Sequence, residues 1–350
     1  MGAGPFWLDR GRLGAPGHRS VRSLRLDPFQ RLALGTTAAT YLLIAVGGLV
    51  RASGAGLGCP DWPRCFDRWI PPLDRSGVPA TIDPDLFNFT LAWTEYLNRL
   101  LGVVVGLLIF ATAVAAVRFH RRNPRVLLPT SSAFVAVGVQ GWLGGRVVES
   151  GLSPWVLTAH LVLALGIVSL LLYASVSAFF PPGVDGPSVR PDPERRRWAF
   201  ATGGVIGLLL VQVGLGAGVR AGVQQAAEAG LSRAEWIDAL GAVESVHRSF
   251  AVGLGLAVLA LATLIRQRLA VDRWLRRSMQ AATVLLIVQI GAGIGMSEWG
   301  VPPVLQVVHL WGAALLLGAL TVQWLLLLRH APQPAPAGGT GEPLAQPGHS

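Results

Sequence analysis

The sequence contains no lysine: all 29 of its basic residues are Arg, set against 19 Asp and Glu. Charge of either sign is scarce, at 14% of 350 residues, where soluble globular domains carry about 25%. So few charged groups cannot cover a soluble surface. The 52% of residues that are apolar, with a mean hydropathy of +0.51, need lipid against them. Cysteine is nearly absent as well. Two Cys exclude a disulfide scaffold and a four-thiolate metal site, and leave room for one local bridge. The net charge of +10 would suggest a nucleic-acid partner in a soluble chain. Here most of the Arg fall in short loops between apolar stretches, which reads as membrane topology and not as a phosphate-binding face, so no nucleic acid is expected as a partner.

What is present is a set of eight apolar stretches, each near the length of about 20 residues that crosses about 30 Å of hydrocarbon. They cover residues 32–50, 93–117, 126–147, 154–180, 198–219, 241–265, 278–296 and 303–328. The expected fold class is therefore all-α and integral to the membrane, with eight transmembrane helices. The first 30 residues are basic but lack a small-residue cleavage site after a short apolar core, so they read as a cytosolic tail before a retained helix. Of the 29 Arg, 20 lie in the amino-terminal tail, the loops after spans two, four and six, and the carboxy-terminal tail. Positive loops stay inside. Both termini are expected to be cytoplasmic, in a cell (inner or plasma) membrane, with the long loop 52–92 outside. The expected division is a tail (1–30), a four-helix half (31–180), a Pro-, Gly- and Arg-rich linker (181–197), a second four-helix half (198–330) and a disordered tail (331–350).

The halves repeat each other. Glu95, Asn98 and Arg99 align with Glu244, His247 and Arg248 at an offset of 149, and Gln140 with Gln289 and His160 with His309 at the same offset. Val50-Arg51-Ala52 matches Val219-Arg220-Ala221 at an offset of 169, so the first outer loop is the longer one. Four spans in each half give both halves the same orientation, and the expectation is two parallel-repeat four-helix bundles.

Of the seven His, only His160, His247 and His309 lie within spans, where ionisable groups are costly and face a bundle interior. His120, among Arg at the inner border, and His18, His330 and His349 read as solvated. The three intramembrane His lie about six residues past the outer start of an even-numbered span, roughly 9 Å below the surface. Asn98 takes the fourth equivalent position. Equal depth on facing helices suits axial ligation of a haem iron, and His247 with His309 forms a complete pair; a hydrogen bond to a neighbouring helix is the alternative for any one of them. Zinc fits less well, because no Cys or carboxylate lies near with structural-site spacing. Gly102, Gly106, Gly144, Gly145, Gly214, Gly216, Gly218, Gly291, Gly293 and Gly295 would admit a flat macrocycle, or close helix packing. Glu95 and Glu244 lie on the faces of Asn98 and His247, three residues away, suited either to proton handling or to pairing with Arg99 and Arg248. Arg51 and Arg220 are candidate contacts for haem propionates, or interface anchors. Cys59 and Cys65, separated by a segment with two Pro in the outer loop, are expected to form a local disulfide, with a redox role as the alternative.

Taken together, these residues resemble the haem A synthase family. The resemblance rests on Gly47-Gly48, Arg51, Ser53-Gly54, Cys59-Pro60-Asp61-Trp62-Pro63, Glu95, Asn98-Arg99, Gln140, Gly144-Gly145 and His160, and on Glu244, His247-Arg248 and His309, and it covers roughly residues 30–328. It implies an eight-helix enzyme that oxidises the methyl group of haem O to the formyl group of haem A for cytochrome oxidase biogenesis. It also implies haem b as cofactor on His247 and His309, His160 against the substrate iron, and Glu95 as the catalytic carboxylate. Asn98 departs from the family pattern, which has His there. The partners implied are haem O, an electron donor that the resemblance leaves unnamed, the lipid bilayer, and a haem O synthase or cytochrome oxidase assembly factors. An electron-transferring b-type cytochrome and a haem carrier or chaperone are the other classes compatible with the same ligands.

Overall fold

The computed structural model describes residues 26–180 and 192–329. Residues 1–25 of the first expected tail, all of the second and residues 181–191 of the linker fall outside these, as do His18, His330 and His349. Eight α-helices follow in order among the described residues: α1 (Pro28–Ala52), α2 (Phe89–His120), α3 (Pro124–Glu149), α4 (Pro154–Phe179), α5 (Pro193–Glu228), α6 (Ala242–Arg268), α7 (Arg273–Glu298) and α8 (Pro303–Leu327). Each is long and apolar enough to cross a membrane, and the chain is a multi-pass membrane protein. Among the described residues the only β-type pairing is an isolated bridge between Cys65 and Arg68.

The helix starts follow from local chemistry. Asp27 and Gln30 form a reciprocal capping box, with Gln30 N–H donating to Asp27 Oδ1 at 2.7 Å and Asp27 N–H to Gln30 Oε1 at 3.0 Å. Asn88, Asn123, Asp192 and Asp272 cap α2, α3, α5 and α7. Pro in the first turn opens α1, α3, α4, α5 and α8, where its missing N–H costs nothing. Six helices, α1, α2, α3, α5, α6 and α7, outrun their apolar stretches, α5 by the most. α5 begins inside the expected linker, at Pro193, and continues to Glu228, because 221–228 is Ala- and Gln-rich, helix-forming without being apolar. α2 starts at Phe89 instead of 93.

Within 26–180, α1 packs on α2 and α4, and α3 on α2 and α4; α5 to α8 close the same ring in the second half. The halves meet where α8 lies against α1 and α4 and where α4 touches α5. α8 is the most buried helix. Its Ala314, Leu317 and Leu320 join Ile44 of α1, Leu165 and Val168 of α4, and Leu209 of α5 in one cluster. Within the first half, α1 and α2 are tied by a 2.8 Å hydrogen bond between the hydroxyls of Thr36 and Thr112, both fully buried.

The repeat extends to the backbone of the short outer turns. Gly151 and Leu152 (φ 60° and 64°) join α3 to α4, and Gly300 and Val301 (φ 65° and 55°) join α7 to α8, at the offset of 149. A non-glycine residue in this left-handed region is unusual. Both Leu152 and Val301 are buried under the turn they make, which holds them there.

Candidate functional site

In the second half, His247 of α6 and His309 of α8 face each other, with ring centres 6.4 Å apart and planes at 61°. Two imidazoles on opposite sides of one metal ion, each with its nitrogen about 2 Å from the metal and its ring centre about 1 Å further, have centres roughly 6 Å apart. The pair therefore stands at the spacing of an axial ligand set. Nδ1 of His309 lies 3.2 Å from the main-chain oxygen of Gln289. A carbonyl can only accept, so Nδ1 carries the proton and the lone pair is left on Nε2. Gly216 of α5 and Gly293 of α7 lie beside the two rings: a Cβ would come within 3.2 Å of His247 Cε1 at the first and 3.7 Å of His309 Cε1 at the second.

The first half carries the same frame. A Cβ on Gly144 of α3 would meet His160 Cε1 at 3.5 Å, and one on Gly47 of α1 would meet Asn98 Oδ1 at 3.9 Å. Gly47 is thus the counterpart of Gly216, and Gly144 of Gly293. Gln140 Nε2 donates to the main-chain oxygen of His160 at 3.1 Å. Asn98 Oδ1, His160 Nδ1 and Gln140 Oε1 are buried without a hydrogen-bond partner, as are Gln212 Oε1, Gln289 Oε1 and Arg220 Nε in the second half. Buried polar atoms rarely stay unpaired in a protein, so these fit sites that receive a polar occupant; Ser175 Oγ, Arg195 Nε and Trp198 Nε1 are unpartnered as well. Among the described residues, no three His, Cys, Asp or Glu come together as a metal cluster. A two-His pair matches a macrocycle that brings its own equatorial nitrogens better than it matches zinc.

Glu95 is 4% exposed, and its carboxylate is fully engaged. Oε1 accepts from Arg99 Nε at 3.1 Å, and Oε2 accepts from the Cys59 N–H at 2.8 Å. Arg99 reaches on to the main-chain oxygens of Asp61 and Arg64, at 2.8 and 2.7 Å. Carboxylate and guanidinium together fasten the outer loop to α2. That loop is closed by a disulfide between Cys59 and Cys65, and it lies so close to α2 that a Cβ on Gly58 would run into the Leu91 backbone. Its Trp62 packs on Gly145 of α3, next to Gly144, so the loop covers one end of the first-half site. Glu244 also pairs with Arg248, but that pair is more exposed.

Arg51 donates to Gln224 of α5, so the outer end of α1 is bonded across to the other half. Arg220 sits within α5 and not at its end. His120, at the end of α2, is half-buried, and its ring packs edge-on against Phe29 of α1 at 4.7 Å. Of the glycines singled out by sequence, Gly144, Gly216 and Gly293 face the ligand positions, whereas a Cβ on Gly102, Gly106, Gly214 or Gly291 would meet nothing within 4 Å. Gln212, whose Nε2 lies 3.1 Å from His247 Nδ1, has no signal in the repeat, since its counterpart is Leu43.

The family described as Cytochrome oxidase assembly protein matches residues 30–321. Curated proteins named Heme A synthase are similar over most of their length. That of Caulobacter vibrioides is 28% identical over 86% of this chain and 96% of its own. That of Rhizorhabdus wittichii is 29% identical over 80% and 88%, and that of Paracoccus denitrificans 30% identical over 78% and 81%.

Proposed function

This chain belongs to the cytochrome oxidase assembly protein family that includes these haem A synthases, and we propose that it oxidises the methyl group of haem O to the formyl group of haem A. The observation that carries the residue assignment is the 6.4 Å separation of the His247 and His309 rings, repeated in the first half as a frame with a single His. Two sites of one design, one with a complete ligand pair and one without, suit a resident cofactor and a substrate respectively.

The second half is assigned to haem b, which His247 and His309 would hold and which would supply one-electron exchange there. The first half is assigned to haem O. His160 is assigned to hold the substrate iron, and Asn98, at the position that repeats His247, offers an amide that is a poor iron ligand. Gly47 and Gly144 leave the helix backbones open to a flat ring, and Trp62 with the disulfide loop shields the site from the outer aqueous phase. Glu95 is assigned to hold or pass a proton near the reacting substituent, and Arg99 with the Cys59 N–H keeps its carboxylate in place. Arg51 and Arg220, at the outer level, are assigned to the propionates, whose charge their guanidinium groups match.

The distribution of Arg supports cytoplasmic termini in the cell membrane, with the disulfide loop on the oxidising side. The contact rings of α1–α4 and α5–α8 support the parallel two-bundle division. The test is coexpression with a haem O producer, followed by extraction and chromatography of the bound haems. Haem A or its hydroxylated precursor is expected. Haem b alone would favour an electron-transferring cytochrome.

A further inference from the structure

We propose that Gln212 is the positioning residue of His247, and that it sets the proton and the donor strength of that ligand; this rests on the assignment of His247 and His309 to one haem iron. Gln212 Nε2 lies 3.1 Å from the main-chain oxygen of His247. A carbonyl can only accept, so the amide edge that faces it is the NH2 edge, and the other edge is Oε1. Oε1 is buried and has no hydrogen-bond partner. It is an acceptor held in place by its own amide, within one side chain of an imidazole.

When Nε2 of a neutral His ligates a metal, its proton sits on Nδ1 and needs an acceptor. His309 already has one, the main-chain oxygen of Gln289. His247 does not. Its Nδ1 and Nε2 lie 3.1 and 3.4 Å from the Gln212 NH2 group, which donates and cannot receive that proton. Ligation through Nε2 would turn the ring from the NH2 group and present Nδ1–H, and Gln212 Oε1, on the same amide, is a buried acceptor without a partner. Gly216, one turn further along α5, lets the ring turn, since a Cβ there would stand 3.2 Å from Cε1. The first half departs at both positions together, with Leu43 for Gln212 and Asn98 for His247. Where the ligand is missing, its orienting amide is missing too. A buried amide that merely joined α5 to α6 would have no reason to share this pattern.

An acceptor on Nδ1–H makes the imidazole a stronger donor and favours the ferric state. The test compares wild type, Gln212→Leu, Gln212→Glu and His309→Ala as purified holoproteins, by redox titration and low-temperature spectra. Gln212→Leu should raise the midpoint potential of the second-half haem and weaken its retention about tenfold. Gln212→Glu, similar in shape and a stronger acceptor, should lower the potential. A tenfold change in ferric over ferrous preference reads as about 59 mV for one electron. Equal potentials in all three His309-containing proteins, or shifts of one sign in both Gln212 variants, would overturn the proposal. Loss of the low-spin signal in His309→Ala keeps the ligand assignment standing in either case. Its persistence would remove that assignment itself and this proposal with it. Should Gln212→Leu fail to assemble, the Glu variant decides alone by the sign of its shift.

Discussion

His247 and His309 approach each other from α6 and α8 across the second half, 6.4 Å from ring centre to ring centre. Neither ring is placed by its own helix alone: Gln212 lies against the first, and the Gln289 carbonyl against the second. Replacing either His by Ala should abolish the low-spin haem absorption or convert it to high spin. His120→Ala, at the opposite end of the bundle against Phe29, should leave it intact. An unchanged spectrum in His309→Ala would refute the ligand assignment.

On the roles proposed for the two halves, Glu95 serves the chemistry and not the cofactor, because it lies in the first half. Glu95→Gln keeps the shape and one acceptor oxygen for Arg99 or Cys59, and removes the ability to take a proton. General acid–base groups contribute about 100-fold or more, and haem A formation should fall by that order. The haem b spectrum should persist, with haem O or a hydroxylated intermediate accumulating in extracts. Wild-type haem A levels in this variant would dissociate Glu95 from the reaction.

The glycines beside the rings give half-specific blocks. Leu at Gly144 would push into His160, and Leu at Gly293 into His309. Gly144→Leu should therefore lose bound haem O while retaining haem b, and Gly293→Leu should lose haem b. Overpacking alone costs about 1–3 kcal/mol and would act alike in both halves. A common loss of both haems in both variants is the outcome that contradicts two separate sites.

The Cys59–Cys65 bridge closes a short ring, worth about 2 kcal/mol to the loop in the chain-entropy account. Peptides from unreduced protein should carry it intact. Cys59→Ser with Cys65→Ser should make the loop more susceptible to protease while the haem b spectrum stays, since the loop covers only the first half. Two freely alkylated thiols in protein taken from its own membrane would contradict the bridge.

The eight helices and the three intramembrane His were legible in the sequence because hydropathy and the 149-residue offset act over long stretches. The site's finer parts depend on single long-range contacts that leave no such trace. The bond from the Cys59 N–H to Glu95 spans 36 residues and is made by a main-chain group. Gln212 was hidden for the opposite reason: comparison of the halves finds what they share, and Leu43 stands in its place. Residues 221–228 extended α5 beyond the apolar scan because Ala and Gln favour helix without favouring lipid.

Asn98 is the position at which this chain can be driven toward the second-half pattern. Gly47 stands beside it as Gly216 stands beside His247, so an imidazole has room, and the unpartnered Asn98 Oδ1 would no longer need a donor. Asn98→His should place a second ligand against the substrate iron and shift bound haem O toward low spin, leaving haem b untouched. With both faces occupied, turnover should fall where an open axial position takes part in the reaction. The new His lacks the amide that His247 has in Gln212, because Leu43 offers no acceptor. Adding Leu43→Gln to Asn98→His should therefore sharpen the low-spin signal and lower the potential of the first-half haem relative to the single variant. An Asn98→His protein that binds haem O with an unchanged spectrum would mean that α2 does not face the substrate iron, and the active site would then lie elsewhere.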